Sequence, residues 1–352
     1  MITYGGMRYE QAWYRDAAVP AVIVDAPGAE PRLGSVARPV RTPGTTVVAV
    51  VAAPLNPLDL AIASGTFHSA RHEAPYVPGS ECVGMVLESD VYLPGSWVYA
   101  ECHASPASPG TFVACVLVAD ENLIPLPQEV DPVLGAAVGN SGTAAFMPLI
   151  ERGGLRSGET VLVLGATGTV GQIAIQIARQ TGAGRVVGVG RDHAALQQLL
   201  GLGANAVVDL RADEPTNELA IRLLAAAGPV DVVLDGLYGA PLEAALQACA
   251  AGARVVNIGN AAGASAQVPA GLVRSKQLTL SGFAGLHTPL KAKRVALSWL
   301  WNALVRSKLQ LEVRTVSLEE LPRAWRDQAH SPHAKCVVVF DRTPCQMTWP
   351  RS

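Results

Sequence analysis

The stretch "LVLGATGTVGQIAIQI" at residues 162–177 is an apolar run that halts at Gly165-Ala166-Thr167-Gly168 and resumes at once with a different period. Before the turn, "TVLVL" is apolar or β-branched throughout, the pattern of a strand buried on both faces. After it, Val170, Ile173, Ala174, Ile177 and Ala178 fall at helical spacing, and Gly182 is placed to end the helix. A strand buried on both faces needs neighbouring strands and a covering layer on each side. The next hundred residues supply them. Strand "RVVGVG", helix "HAALQQLLGLGA", strand "AVVDL", helix "NELAIRLLAAAG", strand "VDVVLDGL", helix "PLEAALQACA" and strand "ARVVNIG" alternate, and "LTLSGF" closes the series. This alternation predicts an α/β, doubly wound parallel sheet.

The first 125 residues have another texture. Short β-rich runs ("TTVVAVVAAPLN", "CVGMVLES", "SWVYAECH", "GTFVACVLVAD") are broken by Pro and Gly. Most of the 25 prolines lie outside the alternating segment. An antiparallel, barrel-like domain is expected there. Near the C-terminus "LEVRTVSLEELPRAW" and "KCVVVF" return to strand, helix and strand, and are expected to complete this first domain.

A strand, then small-x-Gly-x-x-Gly, then a helix is the arrangement by which backbone N–H groups meet a pyrophosphate. Gly168 would let the backbone approach the phosphates, Gly171 would let the helix pack on the strand, and Ala166 holds the first glycine position with Gly165 before it. Thr167, Thr169 and Val170 complete the loop. Heading a series of strand–helix crossovers, the motif points to a dinucleotide rather than a tight structural turn. The second strand ends in Gly190-Arg191, where NAD sites carry an acid for the ribose hydroxyls. A glycine leaves room for a 2′-phosphate and an arginine can bond it, which favours NADPH over NADH. Two alternatives stay open: Arg191 as a solvated loop residue, and Asp192 as a displaced NAD-type acid.

Composition narrows the partners. A net charge of −2 and the lack of a long Lys/Arg cluster argue against nucleic acid and anionic membrane. No apolar stretch is long enough for a membrane span. Glu10, Arg15 and Asp16 interrupt the place where a signal peptide needs an apolar core, and the six cysteines show no paired spacing. A cytoplasmic protein with reduced thiols is expected.

The chain resembles the medium-chain dehydrogenase/reductase superfamily, in its zinc-independent quinone oxidoreductase branch. The resemblance rests on "APLNPLDLAIASGTF" (53–67), "VPGSECVG" (77–84), "GTFVACVLVADENLIPLP" (110–127), "GNSGTAAF" (139–146), "GETVLVLGATGTVGQIAIQIA" (158–178), "LGANAVVDL" (202–210) and "KQLTLSGF" (276–283). It implies a Rossmann doubly wound parallel sheet plus a β-rich GroES-like barrel domain. The expected partition is a GroES-like catalytic domain at 1–125, the dinucleotide-binding domain at 126–284, and a return to the catalytic domain at 285–352.

Alcohol-oxidising relatives carry zinc ligands in two of these segments. Here Asn56 stands at the cysteine position and Ser80 at the histidine position, and Glu81 alone cannot hold a catalytic Zn²⁺. No zinc is expected. His68, His72 and Glu73 form one further cluster, in a segment read as a surface loop. By resemblance Asn56 would contact the nicotinamide ribose or carbonyl region, with Asp59 bracing its loop. The plain reading of both is an Asn-Pro turn with Asp59 capping a short helix. Thr143 would meet the carboxamide, or serve only as a helix-start hydroxyl. Ile258, Gly259 and Asn260 would lie beside the nicotinamide, with Gly259 equally readable as a strand terminator. Many quinone reductases carry a tyrosine two residues after the position of Asp59; this chain has Ala61, so any proton that tyrosine supplies must come from elsewhere, and Phe67 could add apolar contact.

Without a Lewis acid, an alcohol loses its strongest driver for oxidation, whereas an enone or quinone is electrophilic unaided. The resemblance therefore implies an NADPH-dependent reductase of quinones or α,β-unsaturated carbonyls. A biosynthetic enoyl reductase acting on carrier-bound thioesters is the alternative; Arg274, Lys276, Lys291, Lys293 and Arg294 read either as a patch for an acidic carrier or, the favoured reading, as charges that solvate a helix face. A non-catalytic NADPH-binding or sensing protein is the third reading. Chains of this fold commonly pair by joining the last strands of their nucleotide domains, here "KQLTLSGF", so a homodimer is expected.

Overall fold

The computed structural model describes residues 2–4, 7–9, 17–67, 74–102, 104–105, 108–330 and 333–340. His68, His72 and Glu73 lie outside them. The chain forms two compact units, one of residues 1–137, 313–330 and 336–352, the other of residues 138–312 and 331–335.

The first unit is built from antiparallel strands. β1 (Ile2–Tyr4) pairs with β2 (Met7–Tyr9), and β3 (Ala18–Ile23) with β4 (Arg32–Ala37). β5 (Thr45–Pro54) is the hub of the main sheet, a β-branched run buried along nearly its whole length. β6 (Glu81–Glu88), β7 (Trp97–Glu101), β8 (Cys115–Ala119) and β9 (Leu123–Pro125) follow. β6 lies on one side of β5, and β8 pairs with Thr45–Ala49. Pro54 and Pro57 stop the strand and start α1 (Pro57–Ala63), whose first helical position suits a residue without an N–H. α2 (Pro132–Ala137) packs on β5 and β6.

The second unit opens with α3 (Gly139–Met147). Then β10 (Thr160–Leu164), α4 (Thr169–Gln180), β11 (Arg185–Gly190), α5 (His193–Gly201), β12 (Ala206–Asp209) and α6 (Thr216–Ala227) alternate. β13 (Val230–Asp235), α7 (Gly239–Ala248), β14 (Cys249–Asn257), α8 (Ala270–Lys276), β15 (Thr279–Gly282) and α9 (Leu290–Val305) complete it. All six strands run parallel in the order β12-β11-β10-β13-β14-β15. The order reverses at β10, so the chain builds outward from that strand in both directions, and such a switch point is where ligands bind. Gly182, with φ +97°, follows α4, and the Ala183 N–H reaches back to the Ala178 carbonyl at 2.9 Å, closing the helix as its glycine forecasts.

The chain then returns to the first unit with β16 (Val313–Val316), α10 (Leu321–Gln328) and β17 (Lys335–Val339); β17 pairs with the end of β5. The return therefore starts at 313, not 285, and the first unit runs to 137, not 125. The physical reason is in α9. α9, with Leu297, Leu300 and Trp301 buried, packs on α3, where one Leu300 methyl would stand 2.6 Å from a Cβ placed on Gly142. Helical periodicity alone marks an apolar face without saying which layer covers it. No helix among the described residues is long and apolar enough to cross a membrane.

Candidate functional site

The glycine turn lies at the C-terminal end of β10, tied to its neighbours by main-chain bonds. Gly165 and Ala166 both donate to the Val189 carbonyl, at 3.0 and 2.8 Å, and Gly236 donates to the Leu164 carbonyl at 3.1 Å. Gly165 adopts φ +84°, a conformation open to glycine and costly for other residues. A Cβ on Gly171 would stand 2.5 Å from the Ala166 Cα, so only glycine lets α4 sit this close to the turn. Gly168, the residue before the helix, is different. A Cβ there would meet nothing nearer than the Gly165 carbonyl at 3.6 Å. Among the described residues no other atom comes within 4 Å of that position, and the first-turn N–H groups of α4 have no intrahelical partner. This is a cradle for an anionic group, and a pyrophosphate fits it.

At the end of β11, Gly190 is buried, and a Cβ on it would come within 3.0 Å of the Thr167 methyl. Its glycine therefore has a packing cause as well as the one anticipated from cofactor choice. Arg191 is exposed, with no hydrogen bond or ion pair among the described residues. Asp192 is engaged. Its Oδ1 accepts from the Ala195 N–H at 3.0 Å as the cap of α5, and its Oδ2 faces His333 Nε2 at 3.2 Å. The Ala195 N–H, and next to it the His333 charge, hold the Asp192 carboxyl below the usual range. His333 Nδ1 lies 3.2 Å from the Thr167 carbonyl, and Gln172 Nε2 donates to the carbonyls of both Thr167 and His333 at 2.8 Å. His333 escapes a reading of the sequence because it lies more than 140 residues away in the chain.

Farther along the same rim, Asp235 is fully buried at the end of β13. Its Oδ1 accepts from the N–H groups of Leu237 and Tyr238, and its Oδ2 from Asn257 Nδ2 at 2.9 Å. Asn257 also donates to the Gly259 carbonyl at 2.7 Å. Ile258 donates its N–H to the Asp235 carbonyl, and a Cβ on Gly259 would meet the Gly236 carbonyl at 2.9 Å. The segment Ile258-Gly259-Asn260 is thus shaped by Asp235 and Asn257, neither of which belongs to a sequence motif. An acid and an amide at the ends of adjacent strands were the available signal. The structure brings Gly165 to Gly171, Gly190, Arg191 and Ile258 to Asn260 to one end of the sheet. Thr143 is buried in the middle of α3, its hydroxyl donating back to the Asn140 carbonyl at 3.0 Å.

In the first unit Asn56 and Glu81 are buried together. Asn56 Nδ2 donates to Glu81 Oε1 at 2.9 Å and lies 3.4 Å from Ser80 Oγ. The Tyr99 hydroxyl donates to Glu81 Oε2 at 2.7 Å. Burial and then the Glu81 and Glu101 charges push the Tyr99 phenol well above its ordinary value, so it stays a donor. Asp59 Oδ2 accepts the Asn56 N–H at 2.8 Å, bracing the start of α1 as the capping reading describes. An amide, a hydroxyl and a carboxylate already bonded on both oxygens do not suit Zn²⁺, whose catalytic sites use three His, Cys or carboxylate ligands. Among the described residues no group of three or more such side chains converges.

The five basic residues do not all face solvent. Lys293 is buried, and Lys276 spends its ammonium on the Gln247 and Cys249 carbonyls at 2.7 Å each, closing the end of α7. Arg274, Lys291 and Arg294 alone are exposed. Helix amphipathicity, which sequence spacing at 291–294 left unassigned, turns Lys293 inward.

Comparison with known proteins agrees with this architecture. Residues 42–128 match the family described as the alcohol dehydrogenase GroES-like domain, and residues 169–302 the family described as zinc-binding dehydrogenase. The chain is 31% identical over 297 residues to a component of the phenolphthiocerol/phthiocerol polyketide synthase of Mycobacterium tuberculosis, a span covering 83% of this chain and 13% of that protein. It is 30% identical over 229 residues to the quinone oxidoreductase of Lama guanicoe, covering 64% of this chain and 67% of that one. A mycobacterial protein solved in complex with NADPH superposes with a TM-score of 0.80 at 21% identity, covering 91% of this chain and 99% of that chain; this likeness is one of fold.

Proposed function

Because the chain belongs to the medium-chain dehydrogenase/reductase superfamily, in its quinone oxidoreductase branch, we propose that it is an NADPH-dependent reductase of quinones or α,β-unsaturated carbonyls that works without zinc. The observation that carries the reading is the Asn56–Glu81–Tyr99 cluster. Where alcohol-oxidising relatives would hold a metal, this chain has neutral groups bonded to a carboxylate. Substrates that need a Lewis acid are disfavoured by that donor set, and electrophilic alkenes and quinones are not.

NADPH, when bound, supplies a hydride. The chain's part is to hold and orient it. The turn at Gly165–Gly171 and the start of α4 bind the pyrophosphate, Arg191 the 2′-phosphate, and Ile258–Asn260 with Thr143 are the proposed nicotinamide contacts. Asn56, oriented by Glu81, and Asp59, bracing its main chain, are the proposed catalytic-side residues of the first unit. Support for NADPH comes from Arg191 and from the NADPH-bound structural neighbour.

A second reading has its own support. The match to the polyketide synthase relative spans 83% of this chain, which favours an enoyl reductase acting on carrier-bound thioesters. The loss of the basic patch weakens carrier docking at 274–294. We also propose a homodimer joined along β15, and the cytoplasm as its compartment, given free buried thiols at the five described cysteines.

NADPH consumption separates these readings. 1,2-Naphthoquinone and a 2-alkenal should be turned over, and a saturated ketone of similar size should not. Activity confined to crotonyl-CoA or a carrier thioester would replace the first reading by the second. Faster turnover of the saturated ketone, or NADP⁺-dependent oxidation of benzyl alcohol at comparable rates, would overturn both.

A further inference from the structure

We propose that His333 sets the cofactor preference by masking the Asp192 carboxylate, a role that rests on the NADPH reading above. Asp192 directly follows Arg191 at the end of β11, where a sheet of this order places the adenosine ribose. An acid at that place bonds the ribose hydroxyls of NADH and repels the 2′-phosphate of NADPH. Left bare, Asp192 would work against Arg191.

It is not bare. Oδ1 is spent on the cap of α5, and Oδ2 faces His333 Nε2 at 3.2 Å. The other ring nitrogen, Nδ1, faces the Thr167 carbonyl at 3.2 Å. A carbonyl and a carboxylate can only accept, so the ring satisfies both only by donating from both nitrogens. That form is the imidazolium. In that doubly donating form His333 covers the outer oxygen of the Asp192 carboxylate, and Arg191, with no partner among the described residues, is left to meet the 2′-phosphate. The ring is set in place by the chain itself. Gln172 holds the His333 and Thr167 carbonyls together at 2.8 Å each, and His333 adopts φ +59°, a conformation unfavourable for a residue with a side chain and maintained here by these bonds. One residue therefore links the phosphate turn at Thr167 to the ribose end at Asp192.

The test is calorimetric binding of NADPH, NADH, 2′,5′-ADP and 5′-AMP to the full chain, its His333→Gln variant and the His333→Gln/Asp192→Asn pair. Losing the mask should weaken NADPH and 2′,5′-ADP by about three- to tenfold, the range of a partly exposed charge interaction, and leave NADH and 5′-AMP within about twofold. Adding Asp192→Asn should restore NADPH binding, since asparagine still caps α5. His333→Asn is carried in parallel should the glutamine variant fail to fold. Equal weakening of all four ligands, or no recovery in the double variant, overturns the proposal while the NADPH reading stands. Wild-type preference for NADH over NADPH overturns both.

Discussion

Gly171 sits so close to Ala166 that a methyl group on it would stand 2.5 Å from the Ala166 Cα, whereas a methyl on Gly168 would meet only the Gly165 carbonyl, at 3.6 Å. The two glycines of one loop therefore serve different ends. Gly171→Ala should overpack the turn and cost about 1–3 kcal/mol or more of stability. Gly168→Ala should cost about 1 kcal/mol or less, the range of a changed helix cap, yet weaken NADPH by about tenfold or more by filling the phosphate cradle. Urea unfolding and NADPH titration of the two variants check the contrast.

Arg191 is exposed and has no partner among the described residues, so its removal disturbs little else. A charge-assisted hydrogen bond is worth about 1.5–3 kcal/mol, or about 10- to 150-fold in affinity. Arg191→Ala should weaken NADPH by about that factor and spare NADH. Equal loss of both would make Arg191 structural and remove the basis for NADPH.

The Glu81 carboxylate is fully buried and accepts from Asn56 and Tyr99. Tyr99→Phe removes one of these bonds to a carboxylate without changing the ring's shape, and should cost about 1.5–3 kcal/mol in urea unfolding. Elemental analysis of dialysed protein should find no stoichiometric zinc. One zinc per chain would contradict the reading of the cluster and point instead to His68 and His72.

Burial pushes the Cys102 thiol up to about 12, and those of Cys115 and Cys249 up to about 11. An acid whose folded pKa is raised holds its proton longer in the folded state. Its stabilisation is fully present below the ordinary value of 9.0 and is lost as pH rises through the folded values, about 11 for Cys115 and Cys249 and about 12 for Cys102. Urea midpoints should fall from about pH 8 to about pH 10. At neutral pH all three should resist iodoacetamide until the chain is unfolded, as peptide mapping can show; rapid native labelling would contradict their burial.

β15 ends the parallel sheet, and Leu280 on it is 38% exposed. A bare edge invites a second strand. Light scattering at micromolar concentration should give twice the monomer mass, and Leu280→Asp should shift it toward the monomer. A wild-type monomer would remove the dimer from the proposal.

What the sequence determined by itself is the local pattern. Uninterrupted apolar strands, helical spacing after Gly168 and the glycine after α4 mark the second unit because each depends on residues adjacent in the chain. The same holds for Asn56-Pro57 starting α1. Tertiary structure decided the rest, since it depends on which distant groups are brought together. Periodicity could show that α9 has an apolar face, but only packing against Gly142 on α3 assigned it to the second unit and turned Lys293 inward. In the sequence Asp192 offers itself as a displaced NAD-type acid beside Arg191. A histidine 141 residues later in the sequence made it a paired charge, because a hydrogen bond depends on distance in space and donor chemistry, and neither is written in local sequence.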